Sequence, residues 1–349
     1  MERITRRQAM GTALAALGAP AAAQSKEGTL GAAIIGTAHS HALGHLEAIR
    51  DSENYHFVAA AEPDPALLEK ARANPRWQGV RWTSVEDILS DTEVQMVCVE
   101  TDPLDILPYS LASVRAGKHT KIDKAPGVNI DLLGRILREA EDRSVVVQIG
   151  YVYRYNPAFR LARRAIEDGW LGPVRSVLCQ MNDTQTPESR KRLDRYPGGQ
   201  MYEICGHMID ALIWLMGPPK RVSSVLRQSK PHQDGMEDDV VGTFEFDPAV
   251  ATVKSHTRNG DRYFYIFGEK GSIQIDSPDR PEVRLSLSEP NGEFPSGTRS
   301  VPVGPSRRYL PDMDDLAGAI REGRWVEHFT PEHDLAVQRA LLQACGMGV

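Results

Sequence analysis

The segment Gly198-Gly199-Gln200-Met201-Tyr202-Glu203-Ile204-Cys205-Gly206-His207-Met208-Ile209-Asp210 sets two carboxylates and an imidazole at helical spacing. If it opens a helix, Glu203 and His207 stand one turn apart and Asp210 follows three residues later. All three then share one face. Ile204, Met208, Leu212 and Trp214 supply apolar surface to bury. An imidazole between two carboxylates has a tuned pKa and tautomer, which suits a general acid or base. An ordinary surface ion-pair face has the same spacing, so the pattern needs support from elsewhere in the chain.

Two further segments give that support. Ile122-Asp123-Lys124-Ala125-Pro126-Gly127 follows the fourth strand, at its carboxyl end. Open α/β sheets hold ligands at the carboxyl ends of their strands. A lysine there, Lys124, can reach a nicotinamide or a substrate oxygen. Gly150-Tyr151-Val152-Tyr153-Arg154-Tyr155-Asn156-Pro157 leaves the next strand in the same way. It offers Arg154, Tyr155 and Asn156 to a polar substrate.

The elements that must position these groups fall into two styles. Short apolar runs at 32–35, 55–60, 94–99 and 145–149, with a weaker strand at 118–122, alternate with helical stretches at 42–50, 66–73, 107–116 and 131–142. Continuous apolar strands alternating with helices predict a doubly wound parallel sheet covered on both faces. Helices at 157–168 and 201–216 then flank a polar loop at 182–196. Strand-like runs follow without helices between them, at 222–226, 240–246, 251–256, 263–267, 272–275 and 283–287. They predict a largely antiparallel sheet in a second, α+β domain. Helices at 313–322 and 331–344 close the chain. The polar loop, Tyr263 and Tyr265 are expected to shape a substrate pocket.

The first strand ends in Gly36-Thr37-Ala38-His39-Ser40-His41. A dinucleotide-binding fold places Gly-x-Gly-x-x-Gly here. Only Gly36 remains of the three glycines. The second strand ends at Glu62, whose carboxylate can accept a ribose hydroxyl and would repel a 2′-phosphate. NAD is therefore favoured over NADP. His39 and His41 read as phosphate-side residues at a helix N-terminus. A metal is not expected, because the sequence shows no third ligand beside the two imidazoles.

The bulk properties narrow the partners. The chain has 349 residues, a formal net charge of -6 and 41% hydrophobic residues. That balance excludes nucleic acid as a main partner. Cys98, Cys179, Cys205 and Cys345 show no metal spacing and read as reduced, buried thiols. Residues 1–23 differ in kind. Arg6 and Arg7 sit in a basic start, a short apolar run follows, and the stretch ends in Ala-x-Ala. This order predicts a twin-arginine signal peptide and a periplasmic or otherwise exported protein. The apolar run is too short to span a bilayer, so no membrane anchor is expected.

Together these motifs resemble the glucose–fructose oxidoreductase, inositol dehydrogenase and rhizopine catabolism family (Gfo/Idh/MocA). The resemblance rests on Gly198–Asp210, Tyr151–Pro157, Lys124 and Glu62. It implies a Rossmann domain over 28–126 and a substrate-binding, oligomerising domain over 127–349. It implies Lys124 and His207 as catalytic residues, with Glu203 and Asp210 orienting His207 or binding hydroxyls. It implies Gly36, Thr37, Ala38, His39, His41, Glu62, Thr101, Lys124 and Arg154 along the cofactor. Lys124, Arg154, Tyr155, Asn156, Glu203 and His207 would meet the substrate. The implied reaction is NAD-dependent oxidation of a secondary hydroxyl on a sugar or cyclitol, by a homodimer or homotetramer. Two other readings stand beside it: a glycosidase or lyase that recycles its NAD, and a sugar-binding protein without cofactor. The sequence departs from the family pattern at Ala38 and His41, at Thr101-Asp102-Pro103, at Asp123-Lys124-Ala125 and at Glu203.

Overall fold

The computed structural model describes residues 28–39, 41–230, 233–257, 260–326 and 329–349. The signal segment read at 1–23 lies outside these residues. Five strands form the first sheet: β1 Leu30–Ile35, β2 Tyr55–Ala61, β3 Met96–Val99, β4 His119–Ile122 and β5 Val147–Ile149. All pair in parallel, in the order β2-β1-β3-β4-β5. The chain winds one way from β1 to β2 and the other way from β3 onward. The switch point lies at the carboxyl ends of β1 and β3, where ligands bind in such sheets.

The two faces of this sheet are read off by alternation. Ala33, Ile35, Val97 and Val99 pack with residues of the helices Ile106–Arg115 and Ile130–Asp142. Ala32, Ile34, Met96 and Cys98 pack with the helix His41–Asp51 and with Met313 and Leu316 of the helix Leu310–Glu322. The chain thus returns from its far end to cover the first sheet. Lys121 pins this return: its Nζ donates to Asp312 and Gln148, each at 2.6 Å. A fully buried ammonium persists only with such partners. Two features cross the expected division at residue 126: the sheet runs on to Ile149, and the helix Leu310–Glu322 packs on the first core.

The second sheet has eight strands: β6 Val174–Met181, β7 Arg221–Arg227, β8 Asp239–Glu245, β9 Val250–His256, β10 Arg262–Gly268, β11 Gly271–Ile275, β12 Glu282–Leu287 and β13 Gly297–Pro302. Their order is β13-β12-β11-β10-β6-β9-β8-β7. Every pair is antiparallel except β6 with β9. The sequence did not reveal β6 and β13. Arg175 and Ser176 interrupt the apolar run of β6, and β13 is an edge strand with Val301 as its one buried residue. Leu178, Val225 and Val250 remain exposed on this sheet. All four cysteines are free and buried. No described helix is long and apolar enough to cross a membrane.

Candidate active site

Four chain segments meet in a cleft of about 310 Å³ between the two sheets. The turn after β1 brings His39 and His41, and the end of β4 brings Lys124. The segment after β5 brings Tyr153, and the second domain brings Glu203 and His207. Gly36 closes the turn with φ +97°. A Cβ there would lie 2.4 Å from the Thr101 backbone nitrogen. Its missing side chain therefore lets the turn pack on the end of β3. Glu62 stands at the end of β2, where the sequence put the ribose acid. Its carboxylate accepts from the Thr37 N–H, the Thr37 hydroxyl at 2.7 Å and the Asp64 N–H at 2.9 Å.

The expected single helix over 201–216 is interrupted. A short turn, Gln200–Glu203, precedes the helix Gly206–Met216. Gly199 starts the turn at φ +48°, and a Cβ there would meet the Glu237 carbonyl at 2.4 Å. Gln200 is buried and tied by its amide to Ser255 at 2.7 Å and to the Asp183 carbonyl at 3.2 Å. The Cys205 N–H then bonds back to the Gln200 carbonyl at 3.1 Å, a wider turn than an α-helix makes. This break turns Glu203 and Asp210 toward different partners.

Glu203 faces the first domain. Its Oε1 lies 2.8 Å from His39 Nε2, 3.3 Å from Lys124 Nζ and 3.5 Å from an Arg192 nitrogen. Burial alone would raise its pKa, but Lys124 and His39 hold it well below the usual carboxylate range. Lys124 also donates to the Glu203 backbone carbonyl at 2.9 Å. Asp123 lies beside both imidazoles: its carboxylate is 3.0 Å from His41 Nδ1 and 3.7 Å from His39 Nδ1. Its own burial is outweighed by His41, so it stays ionised. His41 is lowered to about 4 by burial, against the pull of Asp123.

Asp210 faces away from the cleft. It accepts from Arg154 Nε at 3.0 and 3.1 Å and from Arg154 Nη2. The same guanidinium reaches Asp334 at 3.3 Å and lies 3.9 Å over the Phe329 ring. Arg154, Asp210 and Asp334 are all essentially fully buried. The imidazole of His207 is thus not held between two carboxylates. Its Nδ1 is buried and has no hydrogen-bond partner among the described residues. Burial, then Lys124, holds its pKa well below the ordinary value, so the ring is neutral.

Three residues expected at the substrate do other work. Arg154 clamps Asp210 and Asp334, Tyr155 donates to Asp315 at 2.6 Å, and Asn156 caps the helix Pro157–Glu167. None of the three lines the cleft. Tyr263 and Tyr265 also stand apart: they stack on each other at 4.6 Å and bond Gln180 and Asp276. The polar loop does line the cleft, through Asp183, Gln185, Ser189 and Arg192. Arg262, Arg308 and Tyr309 join it. The sequence signal for these was only a basic or aromatic residue beside a turn, which is too common to single out.

The buried acid pair on Arg154 has a pH signature. Burial raises Asp334 to about 6, although Arg154 opposes this. An unfolded aspartate titrates near ~3.9. A raised folded pKa gives stability that is complete below the unfolded value and is lost as pH rises through the folded one. Asp334→Asn therefore raises the melting temperature more at pH 7 than at pH 4. Equal shifts at both pH values, or a larger loss at pH 7, would contradict the assignment.

Comparison with known proteins agrees with this architecture. Residues 30–151 match the model of the oxidoreductase family with an NAD-binding Rossmann fold. Residues 159–274 match that of the GFO/IDH/MocA C-terminal domain. Levoglucosan dehydrogenase of Pseudarthrobacter phenanthrenivorans is 24% identical over 322 residues, covering 81% of each chain. A structure of levoglucosan dehydrogenase with NADH and levoglucosan superposes with a TM-score of 0.77 at 22% identity, over 91% of this chain and 97% of that one. The aldose-aldose oxidoreductase of Caulobacter crescentus, complexed with glycerol, gives 0.78 at 23% identity, over 92% and 98%. The two family matches fall in order on the parallel sheet and on the eight-stranded sheet, with the cleft at their junction. The chain belongs to the Gfo/Idh/MocA oxidoreductases, and its first domain is their NAD(P)-binding Rossmann domain.

Proposed function

We propose that the protein uses NAD to oxidise, reversibly, a secondary hydroxyl of a sugar or cyclitol. The observation that carries this reading is the neutral, unpartnered Nδ1 of His207 in the cleft that Lys124 also lines. A buried nitrogen without a partner is costly unless a ligand supplies one. Thr101 Oγ1, at the end of β3, is buried and unpartnered in the same way. Glu62 has three of about four carboxylate acceptor positions filled, which leaves one for a ribose hydroxyl. These residues fit a dinucleotide along the carboxyl edge of β1 to β4. The negative charge of Glu62 supports NAD over NADP.

Bound nicotinamide supplies the hydride acceptor. His207 takes the hydroxyl proton as the carbon gives up its hydride, and the C–O bond becomes a carbonyl. Lys124 spends N–H groups on Glu203 and keeps one for the reacting oxygen, where it stabilises developing negative charge. Glu203 fixes Lys124 and His39. Asp183, Gln185 and Arg192 offer hydrogen bonds to the remaining hydroxyls. The exposed Leu178, Val225 and Val250 support a dimer or tetramer formed through the second sheet. The basic and apolar order of residues 1–23 supports twin-arginine export to the periplasm.

The test begins with the protein as purified. Denaturation should release NAD, detected by mass spectrometry, or the protein should bind NAD on titration. A panel of sugars and cyclitols should then yield reduced nicotinamide. Glycoside cleavage without net reduction would replace this reading with the NAD-recycling lyase. Neither nucleotide nor binding would leave a cofactor-less sugar-binding protein.

A further inference from the structure

His39, His41 and Asp123 form a cluster that the proposed hydride chemistry does not use. One donor atom from each lies within 4.8 Å of the others. The spacing is close to what a metal would impose. Zinc takes its ligands at about 2.0–2.2 Å, so neighbouring donors of a tetrahedral site lie roughly 3.3 Å apart. Asp123 Oδ2 lies 3.2 Å from His41 Nδ1 and 3.7 Å from His39 Nδ1, on either side of that length.

The tautomer of His39 points the same way, whereas His41 would give up to solvent the Nδ1 proton it shares with Asp123. His39 Nδ1 accepts from the His41 N–H at 3.2 Å, so its lone pair is free of a proton. The proton then sits on Nε2, which faces Glu203 Oε1 at 2.8 Å. Metal-bound histidines hold the outer N–H on a carboxylate in this way, which fixes the tautomer and strengthens the ligand. To bind metal, the lone pair would turn from the weak amide contact to the ion. The chemistry of two imidazoles and a carboxylate suits a divalent first-row cation with a position left open.

A second observation marks the site as one that expects a ligand. Glu203 Oε2 and His207 Nδ1, both on residues more than nine-tenths buried, have no partner among the described residues. Both residues line the cleft that His39 and His41 also line. The His41 and His207 ring centres are 6.2 Å apart.

We propose that His39, His41 and Asp123 bind one divalent cation of the zinc class, whose open position faces the cleft and takes a substrate hydroxyl or carbonyl oxygen. This goes beyond the oxidoreductase reading and does not depend on it. The cation would polarise the same kind of oxygen that Lys124 approaches.

The test uses the full chain, stripped with chelator and reloaded with Zn²⁺ or Co²⁺. Elemental analysis after desalting should count one metal per chain, and Co²⁺ should give visible absorption bands. His41→Ala and Asp123→Asn should abolish stoichiometric binding. Glu203→Gln should weaken it by roughly 10–100-fold, acting through His39. His56→Ala, at a pair remote from the cleft, should bind as the parent does. Melting curves without metal establish that each variant folds. If His41→Ala does not fold, His39→Gln takes its place, because the amide can keep the Glu203 contact. Absence of stoichiometric metal in the parent, or full binding in the folded variants, would overturn the proposal. Nucleotide is counted in the same samples. NAD without metal sinks the cation and leaves the oxidoreductase standing, whereas metal without NAD does the reverse.

Discussion

His207→Ala should lower turnover by about 10²–10⁴-fold, the usual contribution of a positioned general base. It should leave NAD affinity unchanged and stability within about 1 kcal/mol of the parent. The pairing of these two outcomes follows from an imbalance at this residue. His207 packs near Tyr151 and Tyr153, with ring centres 5.9 and 5.3 Å away, so truncation forfeits some contact. Its Nδ1 is buried without a partner among the described residues, however, and such a group costs about 1–3 kcal/mol. Removing it offsets the lost packing. A residue kept in spite of an unsatisfied buried nitrogen is retained for what it does to a ligand. The measurements are kcat and KM with the substrate found by screening, together with a denaturant melt. Unchanged turnover would remove His207 from the chemistry. A large loss of stability with proportionate loss of activity would make it a packing residue. The lyase reading also needs a base near the oxidised carbon, so this variant tests the role of His207 and not the choice between the two net reactions.

Much of this arrangement was legible in the sequence because it depends on local pattern. Four of the five parallel strands announce themselves as apolar runs, β4 being the polar exception, and Lys124 and Glu62 sit where strand ends must place them. Spacing singled out His207, and the resemblance gave it a role. What failed was the inference from spacing to partnership. Glu203 and His207 stand at i and i+4, but the helix breaks between them at Ile204 and Cys205, after a turn that Gly199 and the buried amide of Gln200 anchor. Glu203 consequently reaches the first domain instead of His207. Asp123 went unrecognised as a third donor beside His39 and His41, because 82 residues of sequence separate it from His41. Contacts of that range are set by sheet order, which the local pattern does not encode. The docking of the helix Leu310–Glu322 on the first sheet was not legible for the same reason. Its apolar stripe says that it is buried, not against which sheet.

Arg154→Met should destabilise the protein by about 3–5 kcal/mol without a specific effect on cofactor affinity. Resemblance placed this guanidinium beside the nicotinamide. Geometry instead puts it beneath the helix Gly206–Met216, fully buried between Asp210 and Asp334 and flat against Phe329. Removing one member of a buried charge cluster leaves the others uncompensated, and that is where the energy goes. Asp210 suffers most: burial already disfavours its charge, and Arg154 is the largest influence holding it ionised. The prediction has an internal check. Adding Asp210→Asn to Arg154→Met should recover part of the lost stability, because it neutralises the charge that the first change strands. A purely additive double variant would contradict this account. A direct cofactor role gives the opposite pattern, in which Arg154→Met weakens NAD binding in a protein that melts near the parent temperature. The cluster's effect on catalysis is then indirect. Arg154 leaves the strand edge just after β5, and Asp210 lies one turn beyond His207 on the same helix. The ion pair ties the helix that carries His207 to the sheet that carries Lys124. An Arg154→Lys variant tests that link, since an ammonium cannot reproduce the guanidinium fork. It should lower kcat more than it raises KM for NAD, as slack between His207 and Lys124 would.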